Sequence, residues 1–149
     1  MLEKELNFIK EHLNSLEKEN LDVSKANVGW HLDHSIKVIN SVFKGLQNSN
    51  SNEYKKEFNL LRSFIFTLGT FPRGKVKSPK RVLPPEIILK EDVENQLSLV
   101  TKNLESFNDL EKNSFFIHPL FKQLNKKQTI KFLKLHTKHH LKIIKDILK

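Results

Sequence analysis

Histidine is the residue type in this sequence that points most directly to chemistry. Seven histidines occur, at positions 12, 31, 34, 118, 136, 139 and 140, and five of them fall in two short clusters. Imidazole nitrogens are common ligands of transition metals. Because residues four apart lie on one face of a helix, His136 and His140 could bind one ion together. The chain has no cysteine, which excludes disulfides, cysteine zinc sites and a protein thiol nucleophile.

The cluster at 30–34 could supply a third ligand. The apolar stripe that begins at Val28 and Leu32 places His31 nearer the core than His34. On a helical wheel at ~100° per residue, His34 lies roughly 140° from the centre of that stripe. The spacing alone therefore favours His31 and keeps His34 as the other choice. The alternative for the whole pattern is a set of core histidines that only form hydrogen bonds.

Three residues near these clusters have two interpretations each. Asp33 could orient a ligand histidine, or it could be an acid on the solvent side of a helix. His118 precedes a proline and could line a ligand pocket, or it could form hydrogen bonds within a loop. His139 is expected to project away from the buried seam, where it is exposed or lies behind the ligands.

The elements that must position the histidines are helical by their apolar spacing. Apolar residues recur at intervals of three and four over 2–16, 28–47, 54–68, 91–110 and 130–147, and the last helix is predicted to run to the C-terminus. The sequence predicts one all-α domain over 1–149, a four-helix bundle in which the segment at 54–68 is an extra helix in a long crossover. Bundles commonly hold metals on side chains that project inward from facing helices.

Caps and breaks separate these helices. Asn27 and Asn125 are predicted N-caps of the second and last helices, and Gly69 is predicted to end the helix at 54–68. The stretch from 70 to 86 contains four prolines and should not be helical. The apolar residues 115–121 are predicted to form a short linker packed against the bundle.

The charge of the chain allows anionic partners. There are 26 Lys and Arg against 17 Asp and Glu, a net charge of +9. In the proline-rich crossover, Arg73, Lys75 and Arg81 could bind carboxylates or phosphates, or they could form a solvated basic loop. Nucleic acid is not the expected partner, because no helix-turn-helix pattern is evident and aromatic residues are not interleaved with the basic run.

The N-terminal residues bear on location. The start is acidic and amphipathic and lacks the basic residues and continuous apolar run of a secretory signal. No run approaches the ~18 apolar residues of a spanning helix. We therefore expect a cytoplasmic protein without a membrane partner.

Three segments resemble a known family. Residues 27–34 resemble the second-helix signature of the DinB/YfiT-like superfamily of metal-binding bundles, and residues 136–141 resemble its last-helix HxxxH signature. Residues 118–121 are similar to an HPxF motif of one uncharacterised branch. The resemblance covers about 27–147 in the right order. It implies a four-helix bundle with a water-completed site on three histidines, His34, His136 and His140.

The resemblance also implies a function. Three protein ligands and an open position are typical of catalytic metal sites. Members of the superfamily include transferases and isomerases that use low-molecular-weight thiols. We therefore expect a zinc- or nickel-dependent transferase, or an enzyme with hydrolase-like activity, that acts with such a thiol on a small-molecule substrate; a homodimer is left open. The alternative is a non-enzymatic basic bundle that binds nucleic acid or another anionic partner.

Overall fold

The computed structural model describes residues 1–73 and 78–149. In these residues the chain is mostly helical, with five α-helices and one two-stranded sheet. The elements, in chain order, are α1 (Glu3–Glu11), α2 (Val28–Gln47), α3 (Leu60–Leu68), α4 (Lys90–Glu105), β1 (Phe115–His118), β2 (Lys122–Asn125) and α5 (Lys126–Ile147). Short 3₁₀ turns occur in the connections, and the one at Lys80–Val82 lies between α3 and α4.

Helix α2 is the central element. Its N-cap is Asn27 as predicted, and the Asn27 side chain accepts a hydrogen bond from the Trp30 backbone N–H at 2.8 Å. The helix packs against α4, α5, β1 and the Lys80–Val82 turn, so most of its residues are buried. Both candidate ligands on it are buried, His31 at 4% and His34 at 2% exposure. The spacing-based placement of His34 away from the core is therefore wrong, because α2 is covered on several sides.

Helix α5 packs against α2 and α1. Asn125 and Gln128 form a capping box at its start, which confirms the predicted cap. Its buried face includes His140 together with Leu133, Ile144 and Ile147, as the apolar spacing predicts.

The segment predicted as an apolar linker is a β-hairpin. β1 pairs with β2 in antiparallel register, from Phe115 opposite Asn125 to His118 opposite Lys122. The strands have four residues each, and β1 buries two consecutive phenylalanines rather than alternate residues. Because β1 lacks the alternation of buried and exposed residues that indicates a strand, the sequence pattern did not predict this sheet. The all-α prediction is wrong at this point.

Helix α3 is shorter than predicted. It begins at Leu60 with Asn59 as its N-cap, and residues 54–59 are not in the helix. Gly69 ends it in the left-handed region at φ 71°, as predicted. Ile65 is buried, but Leu61 and Leu68 are exposed, so the predicted inward stripe over 54–68 is wrong in most of its positions.

The buried Arg62 explains where α3 lies. Its guanidinium donates hydrogen bonds to the carbonyls of Phe121 and Gln123 at 3.2 Å each, and to the carbonyl of Glu57. One arginine therefore joins α3, the segment before it and the hairpin.

Among the residues that the structure describes, none of the helices combines the length and apolarity that crossing a bilayer requires.

Candidate metal centre

Helices α2 and α5 bring three histidines together. His34 from α2 and His136 and His140 from α5 each offer one nitrogen, and these nitrogens lie within 4.8 Å of one another. The ring centroids are 4.8 Å apart for His34 and His140, and 4.7 Å apart for His136 and His140. Nitrogens on a tetrahedral ion at 2.0–2.1 Å lie about 3.4 Å apart, so modest ring rotations would close the set. The three histidines could therefore hold a metal ion.

The ring of His34 is held by a backbone carbonyl of another segment and by a neighbouring ring of its own helix. Its Nδ1 lies 2.8 Å from the carbonyl oxygen of Val82, in the turn between α3 and α4. Because a carbonyl only accepts, Nδ1 carries the proton and the neutral ring has its lone pair on Nε2. The Trp30 ring stacks on His34 at 4.8 Å with an interplanar angle of 20°. The hydrogen bond selects the tautomer that a metal ligand needs, and the stacking contact limits rotation of the ring.

His31 is not a member of the three-histidine group but contacts one of its members. Its Nδ1 is 2.9 Å from Nδ1 of His140, and its Nε2 is 3.0 Å from the hydroxyl of Ser24. The hydrogen bond occupies Nδ1 of His140 and leaves Nε2 of that ring available for an ion. The structure thus groups His34 with the α5 pair, and His31 contacts one member of that pair.

His136 supplies a test of whether an ion fits. Its Nδ1 is inaccessible to solvent and has no hydrogen-bond partner in the described part of the chain. Buried imidazole nitrogens are normally satisfied, because an unpaired buried polar atom is costly. An ion or an ordered water among the three rings could complete the polar contacts of this cluster. The residues present therefore fit a divalent metal.

Burial keeps these histidines neutral at neutral pH. It lowers the pKa of His34, although the hydrogen bond to the Val82 carbonyl acts in the opposite direction. Burial lowers the pKa of His136 and His140 well below the usual range, and neighbouring histidine charges lower these two further. The pKa of His31 is lowered to about 4, first by burial and then by His34. Metal binding requires the neutral imidazole, so the site does not have to lose protons first.

Asp33 does not contact the three-histidine group through a hydrogen bond. Its Oδ1 accepts from the Gln96 side chain at 2.6 Å, and its Oδ2 forms an ion pair with Lys37 at 2.7 Å. The predicted alternative of a solvent-facing acid is wrong, because Asp33 is buried. The side chain links α2 to α4.

His118 and His139 lie outside the three-histidine group. Nδ1 of His118 accepts the backbone N–H groups of Leu120 and Phe121 at 3.1 Å each, which matches the loop interpretation. His139 is half-buried, with its ring centroid 5.1 Å from that of His140 and 6.2 Å from that of Phe71. It is a neighbour of the site and, as predicted, not one of the grouped nitrogens.

The three predicted anion-binding residues differ in their surroundings. Arg73 forms an ion pair with Asp146 of α5 at 2.6 Å, and Asp146 also pairs with Lys149 at 2.7 Å. Hydrogen bonds from Lys149 and Arg73 lower the pKa of Asp146 to about 2. Arg81 is exposed, and Lys75 lies outside the described residues. Anion binding by the crossover stays a prediction.

Some residues of the site carry no recognisable signal in the sequence. Ser24 contacts His31 from the loop before α2, and Val82 contacts His34 through its backbone carbonyl alone. Trp30 carries a weak signal, since it lies four positions before His34 and therefore on the same helix face.

Comparison with known proteins gives one match. The family described as "Protein of unknown function (DUF1569)" matches residues 6–146. This range includes all three grouped histidines, the crossover and the hairpin. No curated protein and no solved structure matches the chain.

Proposed function

The chain belongs to the DUF1569 family, and we propose that it binds one divalent metal ion through His34, His136 and His140. The observation that carries the proposal is the convergence of three imidazoles within 4.8 Å from two helices that are distant in sequence. The carbonyl of Val82 supports it by fixing the lone pair of His34 on Nε2. Zinc and nickel both suit such a ligand set.

We propose that the fold is a helical bundle of the DinB/YfiT-like type. α1, α2, α4 and α5 would form its four helices, with α3 as the extra helix in the crossover from α2 to α4. The order of α2, the His118 turn and α5 along the chain supports this relationship, as does the position of the histidines on α2 and α5.

We propose a metal-dependent transferase that acts with a low-molecular-weight thiol on a small-molecule substrate. An ion on three protein ligands keeps an open position, through which it can lower the pKa of a bound water or thiol or polarise a carbonyl. The chain has no cysteine, which fits a thiol supplied from outside the chain. His31 would orient His140, and the Val82 carbonyl would orient His34.

The metal site is tested by metal content. The purified protein, loaded with zinc or nickel and desalted, should retain about one ion per chain by elemental analysis. His34→Ala and His140→Ala should each lose most of it. His12→Ala is the matched control, because His12 lies on the α1 side and bonds only to the Phe8 carbonyl among the described residues. Equal metal content in all four proteins, or none in the wild type, would exclude the site.

The thiol proposal needs a separate measurement. Cobalt(II)-loaded protein is titrated with small thiols, and binding of sulfur to the ion should add a charge-transfer band in the near-ultraviolet. The same titration with the alcohol analogue of each thiol is the control. A normal metal content without any such band would leave the metal site intact and reject the thiol as a ligand.

A further inference from the structure

Helix α3 carries a surface that nothing in the described chain covers. The exposed fractions are 76% for Phe58, 76% for Leu60, 45% for Leu61, 63% for Phe64 and 55% for Leu68. We call these five residues the α3 surface. Single exposed apolar residues are ordinary, but a contiguous exposed group of large ones marks a place of interaction.

The four helical members of the α3 surface share one face. At ~100° per residue, Leu60, Phe64, Leu68 and Leu61 fall within an arc of about 100°. The opposite side of the helix carries the buried Arg62 and Phe66, which is partly buried against the core, and Ile65 is buried at the border of the exposed arc. The α3 surface is thus the solvent-facing side of a helix whose other side packs on the protein.

The α3 surface is held in place by polar contacts. Nδ2 of Asn59 donates to the Leu120 carbonyl at 3.0 Å, and Arg62 binds carbonyls of the hairpin. Leu120 is itself exposed and adjoins the start of α3. The apolar residues therefore project from a braced helix and hairpin turn.

Exposed lysines lie beside the start of the α3 surface. Residues 54–73 contain four Lys and Arg and one acidic residue, and of the four, Arg62 is buried and Arg73 is paired with Asp146. Lys55, Lys56 and Lys122 are exposed at or next to the start of this stretch, and Glu57 is paired with Lys122 at 3.0 Å. Exposed aliphatic and aromatic side chains with basic flanks are the pattern of helices that lie in the interface of an anionic membrane.

We propose that the α3 surface docks on an anionic lipid bilayer, with the apolar residues entering the interface and the lysines near the headgroups. A second copy of the chain is a poorer occupant, because two molecules of net charge +9 repel each other. The protein would lie on the membrane surface without crossing it, so the finding that no described helix can span a bilayer does not contradict the proposal. The proposal differs from the expectation of no membrane partner, which came from the search for spanning segments.

The proposal is tested by sedimentation of the full chain with vesicles. Vesicles of phosphatidylcholine with about one third phosphatidylglycerol should bind the protein at low salt, and pure phosphatidylcholine should bind it at least tenfold more weakly. The double variant Leu60→Gln/Phe64→Gln should lower partitioning into anionic vesicles about tenfold or more. Lys55→Gln/Lys56→Gln should lower it about fivefold for each lysine that lies near the surface.

A matched control uses apolar residues that are equally exposed elsewhere. Leu21→Gln/Ile87→Gln removes side chains of 71% and 74% exposure outside the α3 surface and should leave vesicle binding unchanged. The circular dichroism spectrum should be the same for all variants. The proposal would be overturned if Leu60→Gln/Phe64→Gln and Leu21→Gln/Ile87→Gln bound anionic vesicles equally well. It would also be overturned if the wild type showed no preference for anionic vesicles. A solution dimer that Leu60→Gln/Phe64→Gln dissociates would assign the surface to a second copy instead.

Discussion

Protonation of His118 should destabilise the hairpin, and one substitution can isolate the effect. Nδ1 of His118 accepts two backbone N–H groups of the turn, and the ring stacks on Phe121 at 4.4 Å. Burial, followed by the charge of Arg81, lowers the pKa of His118 to about 4. A protonated Nδ1 could no longer accept either hydrogen bond. The folded chain therefore resists protonation at this ring.

The sign and size of the effect follow from proton linkage. The pKa of His118 is lower in the folded chain than the value of about 6.5 expected when it is unfolded. The unfolded chain therefore binds the proton more readily, and stability falls as the pH drops from about 6.5 towards 4. The difference of the two pKa values corresponds to about 3 kcal/mol in total, of which about 2 kcal/mol would be lost between pH 7 and pH 5.

His118→Asn is the variant that separates titration from structure. The asparagine Oδ1 can accept the same two N–H groups, because side-chain-to-backbone bonds of this kind are typical of Asn in turns. It does not titrate in this range. The loss of stacking on Phe121 should lower stability by a similar amount at every pH. The variant should therefore be less stable at pH 7 and lose less stability than the wild type on acidification.

The assay is urea unfolding followed by circular dichroism, with chelator present in every sample. Wild type and His118→Asn are compared at pH 7 and pH 5, so that contributions of the other histidines cancel. The wild type should lose about 2 kcal/mol more than the variant between the two conditions. Parallel losses in the two proteins would show that His118 does not have the lowered pKa and that its accepting role in the turn is misassigned.

Three further perturbations have defined outcomes. Chelation of a metal-loaded sample should lower the melting temperature, because an ion at about a hundred times its Kd adds about 2.7 kcal/mol to stability; an unchanged melting temperature would contradict a stabilising ion. His31→Phe should weaken metal affinity about 10- to 100-fold, and His31→Gln should weaken it less, as measured by competition with a chelating dye. Equal metal affinities of the wild type and both variants would exclude a role of His31 in orienting His140. Arg62→Met leaves three carbonyls without their donor and should cost about 2–4 kcal/mol in urea unfolding, whereas a loss under about 0.5 kcal/mol would mean that α3 is held by other contacts.

The helices that carry the histidines are predictable from local physical chemistry. Asn27 and Asn125 satisfy the first N–H groups of α2 and α5, and caps of this kind depend on a few neighbouring residues. Gly69 ends α3 for an equally local reason, since its φ of 71° is one that other residues rarely adopt. Such features can be predicted without knowledge of the rest of the chain.

The hairpin and the position of α3 depend on distant contacts. Leu61 and Leu68 have the helical spacing that normally indicates a buried stripe, yet both are exposed. The buried side of α3 is the one with Arg62, whose charge makes it a poor candidate for burial until its three carbonyl partners are known. These partners lie up to 61 positions away along the chain, so the sequence pattern alone could not reveal them.

The choice between His31 and His34 shows where periodicity fails at the site itself. A helical wheel identifies the buried side only when a helix has one, and α2 is covered from several directions. Both rings are buried, and they differ in their partners. His34 contacts the Val82 carbonyl through Nδ1 and the Ser78 hydroxyl, at 3.5 Å, through Nε2, whereas His31 contacts Ser24 and His140. Resemblance to a known family, rather than spacing, selected His34 in advance. The spatial grouping of His34 with His136 and His140 agrees with that selection.

The turn at Lys80–Val82 is therefore part of the candidate site, although it contributes no ligand side chain. Its Val82 carbonyl fixes which nitrogen of His34 keeps a lone pair, and the Val82 side chain is buried against the core. Every residue has a backbone carbonyl, so the residue types in a sequence cannot show which carbonyl contacts His34. The side chain that seats the turn does carry information. Val82→Asp should displace the carbonyl and weaken the proposed metal binding, although His34, His136 and His140 are all still present in the variant.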